Sequence, residues 1–521
     1  MNRRAFLRTT GTAAAALAAP RLTAAPERPN LVVIHTDEHN FRTLGCYRAL
    51  MPKSQALMWG PLVCETPNID WLANHGAVAT RFYGTTPVCS PSRSSFVSGR
   101  YPQNTPVTTN NIPMDDAVVT FAEILRRKGY ATGYAGKWHL DGTGKPQWAP
   151  KRKFGFTDNR YMFNRGHYKQ MEDTADGPRV KARKGGKPTY SVAGADKRSF
   201  TTDWLADKTV EFIQAHKDEP FCYMVSIPDP HGPNTVRPPY DTMYDPAKFR
   251  PPATLSVDAK DAPAWGKPQV KGFQGKLMAS YYGMVKCIDD NVGKILKALK
   301  AAGVLDRTIV VFTSDHGDLC FEHGRHNKGV PYEGSARIPF VLFAPGRVRP
   351  GTVVKQALGC VDFLPTILAL MGVATAGKEE GRDASALFAG KPPADWKDVA
   401  FFRGTCRPGG VNWLAAATAR HKLVLAPNDE PWLFDLEKDP NEVRNLLRDP
   451  AHREVLRALA REIAAYAKAH RDTYVKHPRI KADLAWAISD AATYTPPDVP
   501  ATEPAGTGKR KRGKRRAGNN A

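Results

Sequence analysis

The chain has 521 residues and carries 75 Lys and Arg against 51 Asp and Glu, a formal net charge of +24. At 42% hydrophobic and 24% charged it has the makeup of a soluble globular protein with room for one large domain and a smaller one, which excludes wholesale disorder. Eight cysteines are too few for a disulfide scaffold, and no apolar run reaches the roughly 18 residues a transmembrane helix needs, so a packed core must hold the fold.

The first 25 residues carry Arg3, Arg4, Arg8 and Arg21 with no acid, then an Ala-rich run and small residues at Ala24 and Ala25. Paired arginines ahead of a weakly apolar stretch resemble a twin-arginine export signal, so residues 1–25 are expected to be a targeting segment and the mature chain periplasmic or secreted. Disulfides are then permitted. With Cys89 set aside, Cys46, Cys64, Cys222, Cys287, Cys320, Cys360 and Cys406 form an odd set, so at least one is expected to stay free.

After Pro29, short apolar runs alternate with patterns of period near 3.6. Residues 31–36 read as a buried strand. Thr66 and Pro67 predict an N-cap and first-turn proline for a helix that Gly76 stops. Thr120 and Glu123 have capping-box spacing and open a helix with Phe121, Ile124 and Leu125 on one face, ended by Gly129. Residues 131–135, 221–227, 307–313 and 339–344 are further strands, with a long helical pattern over about 277–302. This alternation predicts an α/β fold over residues 28–390, a mostly parallel central sheet sandwiched by helices.

Residues 141–200 lack clear periodicity and mix Lys151, Arg152, Lys153, Arg160 and Arg165 with Trp148, Phe154, Phe156, Tyr161 and Phe163, and long irregular insertions of this kind are expected to be functional loops or disordered. Short strands at 399–402, 413–418, 421–425 and 432–435, then a helix over about 451–470, predict a smaller α+β subdomain at 391–475 with a short antiparallel sheet. From Thr493 to the end the chain is Pro-rich and then strongly basic, with seven Lys and Arg between Lys509 and Arg516, and is expected to be disordered.

Ligands of open parallel sheets bind beyond the carboxyl ends of the strands. Just past the predicted strands stand Asp37 and Glu38, then Lys137 and His139, then Asp229 and His231, then Asp315 and His316. Any one of these alone is as readily a helix cap or a packed imidazole. Together they place acids, imidazoles and an ammonium at one edge, and the carboxylates Asp37, Glu38 and Asp315 with His316 form an oxygen-rich set suited to a hard divalent cation such as Ca²⁺ or Mg²⁺, with Mn²⁺ also open.

The most specific segment is Cys89-Ser90-Pro91-Ser92-Arg93, continuing to Ser98-Gly99-Arg100. It resembles the sulfatase signature C-x-P-S-R with a glycine ten residues after the cysteine. The stretch 30–37, Gly136-Lys137-Trp138-His139, Ser314-Asp315-His316-Gly317 and the run 433–440 agree in order and spacing. The chain is thus similar, over about 29–439, to the type I sulfatases of the alkaline-phosphatase superfamily.

That resemblance implies a sulfate monoester hydrolase, acting on a sulfated carbohydrate, in which a maturation enzyme converts Cys89 to formylglycine (3-oxoalanine). One oxygen of the hydrated aldehyde would attack sulfur, and the second hydroxyl would expel sulfate; a serine has no second hydroxyl for that exit. It further implies that Asp37, Asp315 and His316, with position 89, hold one metal ion, Ca²⁺ by preference, and that Asp315 is a candidate base. Glu38 stands where many sulfatases have Asp, and the extra methylene displaces its carboxylate from the expected ligand position. Arg93 would offset charge, Lys137 and His139 would bracket the diol, Lys328 would contact the sulfate, and His231 would protonate the leaving oxygen.

His316 stands where many relatives carry Asn, and the Asp-His pair is shared with phosphonate monoesterases and phosphodiesterases of the superfamily, which makes such a hydrolase the alternative. A non-enzymatic polyanion binder, using the basic tail and the 151–165 loop, is a third reading. No nucleic-acid partner and no membrane span are expected.

Overall fold

A computed structural model describes residues 28–405 and 412–498. The proposed export signal at 1–25, Cys406 and the tail from 499 onward lie outside the described residues.

Strand β1 (Asn30–Asp37) is followed by helix α1 (Pro67–His75), strand β2 (Ala77–Tyr83), helices α2 (Cys89–Ser98) and α3 (Phe121–Arg127), and strand β3 (Ala131–Lys137). Then come β4 (Asp158–Phe163), helix α4 (Thr201–His216), β5 (Phe221–Pro230), the long helix α5 (Gly275–Ala301) and β6 (Thr308–Ser314). Strands β7 (Arg337–Ile338), β8 (Phe340–Phe343) and β9 (Thr352–Gly359) and helix α6 (Phe363–Leu370) close this part of the chain.

The strands form one sheet in the order β7-β2-β8-β6-β1-β5-β3-β4, with β9 on β2. It is mixed but mostly parallel: β1 pairs in parallel with β6 and β5, β3 with β5 and β4, and β9 with β2. The stretch expected as a strand at 339–344 is β8, which runs antiparallel to both β6 and β2. Alternate residues of β1 feed opposite cores. Val32 and Ile34 pack with α4 and α5, while Leu31 and Val33 pack with Phe96 of α2 and Phe363 of α6. Burial on both faces explains why β1 and β6 read as continuous apolar runs.

Local signals held in part. The Thr120 hydroxyl accepts the Glu123 amide at 3.1 Å, but the Glu123 carboxylate turns to Arg126 and Arg127 instead of completing a capping box. Thr66 does not cap α1. The buried Asp289 carboxylate of α5 accepts the Asn68 and Ile69 amides at 3.0 and 2.9 Å, a cap supplied by tertiary packing. The insertion at 141–200 is more ordered than its sequence indicates, since it holds β4 and the two-stranded ribbon of Met171–Thr174 and Gly177–Val180.

Strands β10 (Ala400–Arg403), β11 (Leu414–Ala417), β12 (His421–Leu425) and β13 (Trp432–Asp435) form the small antiparallel sheet, followed by helix α7 (Arg453–His470). Leu456, Leu459 and Ile463 of α7 bury one face of it, and a further helix, Pro478–Ile488, adds Ile480 and Leu484. The other face stacks Phe402, Trp413 and Phe434 against Trp265 and Tyr332 of the larger unit. Among the described residues no helix is long and apolar enough to cross a membrane. The seven described cysteines form no disulfide with one another.

Candidate active site

Cys89 is the first residue of α2, and it meets the carboxyl ends of β1, β3, β5 and β6. All ten residues of α2 are buried, and Gly99, at φ +66, ends it in the left-handed conformation that glycine adopts without penalty. The Cys89 Sγ lies 3.3 Å from His316 Nε2, 3.8 Å from Asp37 Oδ1 and 3.6 Å from Lys137 Nζ. Burial and Asp37 push this thiol up, but Lys137, Lys328 and His316 outweigh them and hold it well below the usual thiol range.

Arg93, one turn along the helix, joins two strands. Its Nε donates to Asp315 Oδ2 at 2.8 Å and its terminal nitrogens donate to Asp37 Oδ2 at 2.9 Å, the Lys137 carbonyl at 2.8 Å and Ser226 Oγ at 2.7 Å. Lys137 also donates to Asp37. Burial alone would raise Asp37, yet Lys137 and Arg93 keep it well below the carboxylate range. Gly136, at φ +98, allows β3 to deliver Lys137, because a Cβ there would meet the Ser226 carbonyl oxygen at 1.9 Å.

The buried donors Asp37 Oδ, Cys89 Sγ, Asp315 Oδ and His316 Nε2 all lie within 4.8 Å of one another. His316 Nδ1 is 3.0 Å from the Gly317 carbonyl, which fixes the ring so that Nε2 faces Cys89 and the two aspartates; burial would lower this imidazole, but Asp315 and Cys89 raise it to about 9. Two carboxylates and one oriented imidazole are a donor set that fits a hard divalent ion, and among the described residues no N–H hydrogen-bonds to Asp37 Oδ1, from which His316 Nε2 stands 3.8 Å away. Glu38 lies beside this group. Its carboxylate faces Lys328 Nζ at 3.2 Å and His231 Nε2 at 3.1 Å, and burial raises it to about 8.

His231 bonds the Gly232 carbonyl through Nδ1 at 2.8 Å and meets Lys328 Nζ at 2.7 Å through Nε2. Burial, reinforced by Lys328, lowers it to about 3. His139, lowered by burial to about 4, sits with Nε2 3.3 Å from Asn111 Oδ1. Cys89, Lys137, His139, His231 and Lys328 all line one cavity of about 240 Å³. Asp229 points elsewhere, paired with Lys169 and Thr202.

Asn110, Asn111, Lys145, His167 and Tyr190 also line this cavity and were not singled out from sequence; of these His167 touches the candidate catalytic groups Lys137 and His231 directly. His167 accepts from Lys137 Nζ at 2.8 Å and stacks on the His231 ring at 3.7 Å, 7° from parallel. It falls just beyond the carboxyl end of β4, the position that flagged the other residues, and it was missed because 158–163 had not been read as a strand.

Residues 29–373 match the family model described as sulfatase, and residues 321–469 match one described as the C-terminal part of N-sulphoglucosamine sulphohydrolase. The chain is 29% identical over 435 residues to an ulvan-active sulfatase from Formosa agariphila, covering 82% of this chain and 78% of that one. It is 24% identical to an N-acetylglucosamine-6-O-sulfatase from Bacteroides thetaiotaomicron, covering 86% and 87%. In fold it is similar to a phosphonate monoester hydrolase from Agrobacterium radiobacter, with a TM-score of 0.69, 23% identity and coverage of 86% and 97%.

Proposed function

The chain belongs to the sulfatase family of sulfuric ester hydrolases, and on that premise we propose that it hydrolyses the sulfate ester of a sulfated carbohydrate through a formylglycine formed from Cys89. Sulfatases generally use this modified residue together with a metal ion. Here Asp37, Asp315, His316 and position 89 would hold the ion, for which the oxygen-rich set favours Ca²⁺. The ion would supply Lewis acidity and ease deprotonation of the hydrated aldehyde. The observation that carries the reading is the convergence of Cys89 Sγ with the fully buried Asp37, Asp315 and His316, beneath a cavity that Cys89 lines together with Lys137, His139, His231 and Lys328.

The remaining work falls to side chains already in place. Arg93 holds Asp37 and Asp315 at fixed spacing and offsets their charge. Lys137 and Lys328 turn ammonium groups toward the space above Cys89, where an ester's sulfate oxygens are neutralised. His231, its Nδ1 fixed on Gly232, faces the Lys328 ammonium and the protonated Glu38 carboxyl with Nε2, so the proton that the departing alkoxide requires would come from one of these and pass through Nε2. Export through the arginine pair at Arg3 and Arg4 belongs to the same proposal, as does a maturation enzyme that oxidises Cys89.

The test is mass spectrometry of the tryptic peptide spanning residues 82–93, from protein made alongside a maturation enzyme, coupled to turnover of an aryl sulfate and an aryl phosphonate. Formylglycine with preferred sulfate cleavage is the expected result. An unmodified thiol at full activity would overturn the nucleophile, and a large phosphonate preference would move the substrate to the alternative suggested by Asp315-His316.

A further inference from the structure

Resting on that reading, we propose that the 141–200 insertion builds a second anion subsite at the mouth of the cavity, from Lys145 and Arg165 beside Tyr190, so that the substrate carries another anionic oxygen group next to the sulfate being cleaved.

The argument is one of charge balance within a small space. Among the described residues no Asp or Glu lines the cavity. Of its four cationic side chains, the two on the floor are already paired, Lys137 with Asp37 and Lys328 with Glu38. The two at the mouth are not. Among the described residues neither Lys145 nor Arg165 has a carboxylate within 4.0 Å, whereas Arg152, Arg160 and Arg179 of the same insertion each do. Lys145 Nζ instead sits 4.8 Å above the Tyr190 ring, and Arg165 reaches only the Thr143 carbonyl, at 3.4 Å.

The backbone ties together the two segments that carry these cations. The Asn164 amide donates to the Pro146 carbonyl at 2.8 Å, and its side-chain nitrogen donates to the Gly142 and Gly144 carbonyls, each at 3.1 Å. The arm carrying Lys145 is thereby tied to the arm carrying Arg165 before any ligand arrives, which reduces the ordering cost of binding. A singly charged ester would fill the floor and leave both mouth cations facing water. A doubly anionic one engages both pairs, and at about 240 Å³ the cavity places them within one substrate residue.

The probes are phenyl sulfates bearing a ring carboxylate or a ring sulfonate at the ortho, meta or para position, each compared with its neutral carboxamide or sulfonamide. The two series distinguish a planar from a tetrahedral second anion. In the matured full chain we expect kcat/KM for at least one anionic member to exceed that of its neutral counterpart by about tenfold or more, with the preference shrinking as salt rises. In K145Q/R165Q that ratio should fall toward one, and in K145R/R165K it should largely persist. Because the ratio is taken within one preparation, partial misfolding does not change it. Absence of any anionic preference in the parent chain, or its persistence in K145Q/R165Q, overturns the subsite while leaving the sulfatase reading intact. Failure of the matured parent to cleave any phenyl sulfate overturns that reading and the subsite with it.

Discussion

Two clusters of buried charge invite comparison. Beneath the small sheet, Glu333 is met by Lys422 at 3.0 Å and Arg81 at 2.8 Å and accepts a hydrogen bond from the Tyr83 hydroxyl at 3.1 Å, while Glu442 takes the Glu333 amide and pairs with Lys422. Lys422 itself spends its remaining capacity on the Pro331 carbonyl at 2.6 Å. At the strand ends, Asp37, Asp315 and Glu38 are as deeply buried and also face cations, yet among the described residues Asp37 Oδ1 accepts only from the Cys89 thiol and stands 3.8 Å from His316 Nε2, and these three atoms converge on one point with Asp315. The first cluster has consumed its charges internally. The second keeps ligand capacity in reserve, which is what separates a site from a scaffold when both are buried.

The contrast is broken most sharply at residue 89. Cys89→Ala should lower kcat for an aryl sulfate by about 10³-fold or more while leaving the thermal unfolding midpoint near that of the parent chain; a midpoint that collapses would make the thiol part of the scaffold. The reverse pattern is expected at Lys422. Lys422→Met removes the cation that Glu442 pairs with and leaves Glu333 to Arg81 and Tyr83, and should cost about 3–5 kcal/mol in urea unfolding, with the folded fraction still turning over substrate. A smaller effect sharpens the role of the insertion. His167→Gln keeps an acceptor for Lys137 but loses the ring stacked on His231, and should reduce kcat about tenfold with little change in KM; an effect confined to KM would assign His167 to substrate contact alone.

Much of this was legible because the chain states it twice. Residues 31–36 and 307–313 are apolar on both faces and end in acids, so the strand and the site at its end are visible together, and the structure places these strands at Asn30–Asp37 and Thr308–Ser314, each within one residue of the expected bounds. Strand β2 was hidden because Thr80 and Arg81 interrupt its apolar pattern, and β9 because Thr352, Val353 and Lys355 face outward. The cap of α1 was illegible for a different reason, since Asp289 lies more than two hundred residues from the amides it satisfies. Glu38 shows the limit of reading by position. Its place in the order of acids pointed to a ligand, but the added methylene and a φ of +65 carry its carboxylate toward Lys328 and His231.

The complete burial of α2 sets a timetable. With Cys89 only 2% exposed and every neighbour along the helix covered, a second protein has no route to its sulfur once the domain has closed. On the proposal that Cys89 becomes formylglycine, its oxidation would precede closure, on a nascent or held-open segment. If the twin-arginine route then carries the finished domain outward, the catalyst is made on the inner side of the membrane and crosses it already armed.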